Sequence, residues 1–201
     1  MAANVSQRII ELARIRLLLR ATDVLPLGGT SSILIKLHQA GRLRRVARGV
    51  YSLPDREPMR YQDLAQVCQR IPKAVICLLS ALQFHEIGTQ LPRQVWIALP
   101  EGATTPAATY PPIRIARLRG AAYSEGIETV ISEGMPIRVY GVAKTITDCF
   151  KFRNKIGLDA ALEAMKDAWR ERKFTMSEAT HYARINRVER VMHPYLEAMV
   201  A

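Results

Sequence analysis

Four arginines lie within seven residues of the chain and an aromatic residue follows them: Arg42, Arg44, Arg45, Arg48 and Tyr51. A guanidinium group carries a fork of N–H donors that fits two phosphate oxygens at once. On a β-hairpin, such groups reach along a nucleic-acid backbone or into a minor groove. The competing interpretation is a solvated strand face whose arginine stems cover apolar surface. We favour the nucleic-acid interpretation, because the residues before this cluster independently predict a DNA-reading helix.

A helix predicted over residues 31–40 supplies the second group of candidate side chains. Leu34 and Leu37 are expected to face inward, which turns the polar side chains outward. Serine and glutamine side chains can hydrogen-bond base edges, and Lys36 can reach a phosphate or a guanine. The alternative is that these side chains are merely solvated. We predict DNA contacts from nine residues, namely Ser31, Ser32, Lys36, His38, Arg42, Arg44, Arg45, Arg48 and Tyr51.

The elements around these side chains predict a winged helix-turn-helix domain over residues 1–57. Apolar positions recur at helical spacing, and proline with paired glycines stops a helix. The predicted elements are, in order, a helix over residues 6–19 that ends or breaks near Arg16, a short helix over 22–25, a turn over 26–29, the helix over 31–40, a hairpin that turns at 47–49, and a linker over 54–58. This order is typical of the winged helix-turn-helix.

Beyond the linker, the sequence predicts an α+β domain over residues 58–201. Strands are predicted over residues 74–78, 94–99, 113–118, 127–132 and 136–140, and helices over 61–71, 80–86, 142–152, 158–172, 177–184 and 188–199. Because most strands precede the C-terminal helices, we expect an α+β arrangement rather than a doubly wound one. The prediction is a small, mainly antiparallel sheet with C-terminal helices.

Charge is distributed unevenly along the 201 residues, which carry a formal net charge of +11. Residues 1–60 contain eleven basic residues and four acidic ones. Such a basic excess suggests a polyanionic partner, most often nucleic acid, although an inert basic surface is the alternative. Apolar residues make up 49% and charged residues 23%, a balance that excludes membrane, secreted-scaffold and disordered classes.

The cysteines indicate the cellular compartment. Cys68, Cys77 and Cys149 are odd in number and widely spaced. The mixed polar and apolar start of the chain leads us to expect no signal peptide. The three residues are therefore predicted to be buried, reduced thiols of a cytoplasmic protein.

The sequence contains few residue patterns typical of catalysis or of metal binding. The four histidines are far apart, and neither C-x-x-C, H-E-x-x-H nor a glycine-rich phosphate loop occurs. Ser80, His85 and Asp148 have the residue types of a catalytic triad. Any chain of this length contains such a trio, so the residue types carry little weight. Lys144 and Asp148 have the spacing of a surface ion pair, with a phosphate site or partner contact as the alternative. We predict no catalytic residue, no metal and no cofactor.

Within the segment 37–53, residues 37–51 follow the pattern L-x-x-x-G-x-L-x-R-V-x-R-G-V-Y. This segment resembles the wing of the AbiEi family, the antitoxins and viral-defence regulators of type IV toxin–antitoxin (abortive infection) systems. The similarity continues in one order through residues 79–88, 95–100, 144–150 and 157–164. The ordered set extends from residue 37 to residue 164 and is considerably more specific than the wing motif by itself.

The resemblance implies a winged N-terminal domain that binds inverted repeats in its own promoter and represses it. It also implies a C-terminal α+β domain that counteracts a nucleotidyltransferase-like toxin, with no requirement for a stable complex. The expected partners are thus double-stranded DNA and the toxin, with no membrane.

Two other functions fit the residues. A stand-alone transcriptional regulator would use its C-terminal domain to sense a ligand or to dimerise, and it would lack a toxin gene immediately downstream. A nucleic-acid-processing enzyme would use the winged domain for targeting, and changing Asp148 or Glu86 would abolish metal-dependent cleavage. The enzyme ranks last, because no carboxylates cluster at a recognisable spacing.

Overall fold

The computed structural model describes residues 5–16, 18–55, 61–107, 110–132 and 135–200. The chain divides into two compact units, Met1–Gln62 and Asp63–Ala201. The predicted domain boundary between residues 57 and 58 lies outside the described residues, as does the end of the predicted linker over 54–58.

The first unit contains the predicted helices and hairpin. Its elements are α1 (Val5–Ile15), β1 (Leu19–Arg20), α2 (Ala21–Val24), a 3-10 helix (Leu25–Leu27), α3 (Ser31–Gln39), β2 (Arg44–Ala47) and β3 (Val50–Ser52). The three strands form an antiparallel sheet in the order β1-β3-β2. β1 was not predicted, because a two-residue strand has too few positions to show a hydrophobic period. The 3-10 helix was not predicted either, since its residues were expected to end a short helix and begin a turn.

The turn before α3 holds the helices of this unit close together. A Cβ atom on Gly29 would lie 2.9 Å from Ile9 Cδ1 and 2.9 Å from Val24 Cβ, so only glycine fits there without a shift. Behind this turn, Leu34 and Leu37 pack into a core with residues of α1, β1 and β3. The core therefore fixes the inward face of α3 and leaves the opposite face to solvent.

The second unit combines five strands with eight helices in its described residues. The strands are β4 (Val75–Ile76), β5 (Val95–Pro100), β6 (Ile113–Leu118), β7 (Ile127–Ser132) and β8 (Met135–Tyr140). The helices are α4 (Gln62–Arg70), α5 (Leu78–Phe84), α6 (Ala121–Ser124), α7 (Val142–Lys151), α8 (Arg153–Ile156), α9 (Leu158–Arg170), α10 (Met176–Asn186) and α11 (Glu189–Val200). The predicted α+β class is confirmed. The predicted turn at residues 133–134 lies outside the described residues.

The sheet of the second unit is mixed, so the prediction of a mainly antiparallel sheet is wrong. Its strand order is β6-β5-β4-β8-β7. The β5–β6 and β4–β8 pairs are parallel, whereas the β4–β5 and β7–β8 pairs are antiparallel. The reason lies in the connection from Pro100 to Ile113, which is long enough to return the chain to the same end of the sheet.

Small side chains allow α9 to pack closely against α7. Ala161, Ala164 and Ala168 of α9 are fully buried in a core that also contains Trp96 of β5 and Phe150 of α7. Burial of such a continuous apolar face is the main stabilising contribution in a unit of this size. Within the described part of the chain, no helix is both long and apolar enough to cross a membrane.

Candidate nucleic-acid interface

Helix α3 presents three of the predicted contact residues to solvent. Ser31, Ser32 and Lys36 are all exposed, whereas Leu34 and Leu37 are 1% and 5% exposed. The burial of the two leucines directs the polar side chains away from the core. Hydroxyl and ammonium groups on this face are therefore free to meet base edges or phosphates.

The hairpin places two adjacent arginines on its opposite faces. β2 and β3 pair so that Arg44 lies opposite Ser52 and Arg45 lies opposite Tyr51. Successive side chains of a strand point to opposite faces, and both arginines are exposed. A hairpin with a cation on each face can contact both walls of a DNA groove.

The hairpin tip is a tight loop, as predicted. Arg48 and Gly49 connect the strands, and the φ angle of Gly49 is 73°, a conformation that glycine adopts without steric cost. The pairing register shifts between Arg45 and Ala47, so Val46 is an extra residue that twists the strand. Arg48 is exposed at this tip.

Residues 24–54, which include α3 and the hairpin, contain lysine and arginine but no aspartate or glutamate. Among the described residues, Lys36, Arg44 and Arg48 form no ion pair with a carboxylate, whereas Arg16 pairs with Asp23 at 2.9 Å. The cationic groups of α3 and of the hairpin are therefore available to an anionic partner.

Arg42 occupies a different position from the hairpin arginines. It is exposed, and it lines a surface cavity together with Arg14 of α1 and Asp55. Asp55 brings a negative charge to this cavity. We therefore expect Arg42 to attract a phosphate less strongly than Arg44 or Arg48 does.

His38 has a structural contact that the sequence did not reveal. Its Nδ1–H group donates to the backbone oxygen of Leu43 at 3.0 Å, and its ring lies 6.1 Å from the ring of Tyr51. The residue is exposed, so Nε2 can still serve a ligand. His38 thus links the end of α3 to the start of the hairpin.

Tyr51 is a core residue, and its prediction as a DNA contact is corrected. Its side chain is 4% exposed and packs with Leu37 and Leu43. Tyr51 lies on β3, the central strand of the sheet, and all three residues of that strand are buried. Although Tyr51 follows the arginines in the sequence, it does not lie beside them at the protein surface.

Lys144 and Asp148 form a buried ion pair rather than the predicted surface pair. Lys144 Nζ lies 2.6 Å and 2.7 Å from the two oxygens of Asp148, and the side chains are 0% and 1% exposed. Helix α7 carries both residues and packs against α5, α9 and α10, which removes water from the pair. The same burial separates these charges from any phosphate or partner.

Asn186 completes this buried network, and sequence reasoning missed it. Its Nδ2 group donates to Asp148 Oδ1 at 2.7 Å and to Thr147 Oγ1 at 2.9 Å. Burial raises the pKa of Asp148, while Lys144 and Asn186 oppose that rise by stabilising the carboxylate. A lone asparagine near a helix end carries no signal in sequence that would connect it to α7.

The structure does not assemble a catalytic triad from Ser80, His85 and Asp148. Ser80 Oγ accepts from the backbone N–H of Trp96 at 2.9 Å, and His85 Nε2–H donates to the backbone oxygen of Tyr140 at 2.7 Å. Asp148 is held by Lys144 and Asn186. Each member of the trio therefore has a separate structural partner.

The described residues also contain no cluster of three or more His, Cys, Asp or Glu side chains arranged to hold a metal ion. Cys68, Cys77 and Cys149 are buried and unpaired, as predicted. Burial raises the pKa of each thiol, which keeps it in the unreactive protonated form.

Comparison with known proteins gives a structural neighbour and no family. No protein-family model matches the chain. No curated protein matches it either. The crystal structure of the RV2827C protein from Mycobacterium tuberculosis is similar, with a TM-score of 0.60 and 13% sequence identity over 90% of this chain and 71% of that one. At this identity, the similarity shows a shared fold.

Proposed function

We propose that the first unit is a winged helix-turn-helix that binds double-stranded DNA and represses the promoter of its own gene. The observation that carries this proposal is the exposed face of α3 beside a hairpin with uncompensated arginines. Helix α3 would enter the major groove, where Ser31, Ser32 and Lys36 meet base edges. The hairpin would enter the adjacent minor groove, with Arg44 and Arg45 directed toward opposite strands.

Binding of this kind depends on salt, because each phosphate contact releases counterions from the DNA. With around six phosphate contacts, the slope of log K against log salt is expected to be about −5. The test is a gel shift of the full chain on its own upstream DNA, titrated with salt and with random-sequence competitor. Tight binding that resists competitor and falls with salt supports the proposal, and a slope near zero contradicts it.

We further propose that the protein is an antitoxin without catalytic activity of its own that counteracts a nucleotidyltransferase-like toxin of a type IV system, with or without a stable complex. This half of the proposal is supported by the ordered resemblance to the AbiEi family, which continues through residues 144–150 and 157–164. The buried contacts of Lys144 and Asp148 indicate that residues 144–150 maintain the fold of the second unit.

Co-expression tests the antitoxin proposal. The full chain is expected to restore the growth of cells that express the toxin encoded next to its gene. Co-purification then shows whether neutralisation proceeds through a stable complex. Failure to restore growth, with promoter binding intact, would favour a stand-alone regulator whose second unit senses a ligand or dimerises.

A further inference from the structure

Ile35 is an apolar side chain at the middle of the exposed face of α3. It is 46% exposed, although its neighbours Leu34 and Leu37 are buried. Among the described residues of the first unit, the core includes these two leucines with Ile33 packed against it, and Ile35 stays outside. The β-branched side chain also gives no advantage in forming a helix. Neither packing nor helix propensity therefore explains an isoleucine here.

The geometry of α3 places Ile35 where a partner would contact the helix first. At 3.6 residues per turn, its side chain lies near the centre of the arc of exposed residues, about 50° from the direction directly opposite to Leu34 and Leu37. Ser31 and Gln39 lie one turn before and one turn after it, and Ser32 flanks it. All three flanking residues are exposed. Ile35 is thus an apolar centre surrounded by hydrogen-bonding groups.

We propose that Ile35 determines sequence specificity by contacting the 5-methyl group of a thymine in the major groove. This inference rests on the proposed DNA-binding function. The thymine methyl is the apolar feature of the major-groove edge, and apolar side chains recognise it by excluding water. Serine and glutamine around Ile35 would read the polar edges of the neighbouring base pairs. The operator half-site therefore contains a thymine at the position that Ile35 covers.

The test replaces each thymine of the bound promoter half-site by deoxyuridine, one position at a time. Deoxyuridine keeps the base pairing and removes only the methyl group. The parent protein is expected to lose about fourfold in affinity at one or two positions, since one buried methyl group is removed from the contact. The variant Ile35→Ala is expected to bind thymine and deoxyuridine DNA equally at those positions.

A matched control uses another exposed isoleucine of the same unit. Ile15 is 82% exposed on α1, and Ile15→Ala is expected to keep the parent's loss on deoxyuridine DNA. One outcome is that the parent protein binds its promoter in the presence of competitor with an affinity that no deoxyuridine substitution changes. That result would overturn the thymine contact and leave the proposed DNA binding intact. A parent that does not bind its promoter would overturn the proposed function and this inference together. If Ile35→Ala changes the number of bound copies equally on both DNAs, Ile35 is a contact between protein molecules and the inference is wrong.

Discussion

The charged residues of this protein include a buried ion pair and a group of exposed arginines. Lys144 and Asp148 are enclosed by helices, so each charge depends on the other for stabilisation. Arg44 and Arg48 face water and form no described ion pair. The two groups should therefore respond differently to substitution: the first through folding, the second through binding.

For the buried pair, Lys144→Met removes the cation and leaves the Asp148 carboxylate with the Asn186 amide as its remaining side-chain donor. The free energy of unfolding is expected to fall by about 3–5 kcal/mol, because an uncompensated charge stays in the core. Adding Asp148→Asn should recover much of this loss, since the new amide oxygen can still accept from Asn186. Urea denaturation of the full chain measures both effects.

The exposed Lys166 of α9 provides the matched lysine. Lys166→Met is expected to change the free energy of unfolding by less than about 0.5 kcal/mol. A loss of similar size in Lys144→Met would show that the buried pair contributes no more than a surface charge.

For the hairpin, Arg44→Ala and Arg45→Ala are each expected to weaken binding to every DNA sequence and to reduce the salt slope by about one phosphate contact. Changes at Ser32 or Lys36 should instead alter which sequence is preferred. Gel shifts at several salt concentrations measure the slopes. Arg93→Ala, at an exposed loop position of the second unit, is the control. Hairpin variants that bind like the parent would refute the assignment of the wing.

Among the elements, the hairpin of the first unit depends on the conformation of a single residue. Gly49 has a φ angle of 73°, and among the described residues a Cβ atom there would meet nothing within 4 Å. A side chain at this position is therefore costly because of backbone conformation and not because of crowding. Two substitutions of different conformational preference separate these causes.

Gly49→Val is expected to destabilise the hairpin by about 1–3 kcal/mol, because β-branched residues strongly disfavour the left-handed region. Gly49→Asn should cost less, since asparagine tolerates that region. The DNA affinity of the full chain is expected to fall in the valine variant and to stay near the parent's in the asparagine variant. Equal affinities in the two variants would show that the hairpin conformation does not matter for binding.

At the scale of the whole molecule, inverted repeats require two copies of the first unit on one DNA. We expect an operator with two half-sites to bind two copies, and a single half-site to bind one copy more weakly. Inserting about five base pairs between the half-sites should reduce any cooperativity, because it rotates one site by half a helical turn. Analytical ultracentrifugation of the complexes measures the stoichiometry. One copy on the complete operator would contradict this arrangement.

Local patterns in the sequence determined most of the secondary structure. Periodicity over a few residues predicted strands 113–118 and 127–132 with the bounds of the structure, and most other elements within a few residues of theirs. The short elements β1, α6 and α8 went unpredicted because they are too brief to show a period. The sequence also predicted that the arginine cluster lies on a hairpin with a tight turn, since a hairpin turn depends on neighbouring residues.

Tertiary structure decided which side chains are buried and how the strands pair. Tyr51 and the Lys144–Asp148 pair are enclosed by elements distant in sequence, so their spacing could not reveal their burial. Asn186 reaches Asp148 from another helix for the same reason. Whether two strands of the mixed sheet are parallel or antiparallel depends on whether the connection between them returns the chain to the same end of the sheet. Hydrophobic periods are set by neighbours along the chain, whereas burial and pairing are set by packing between elements.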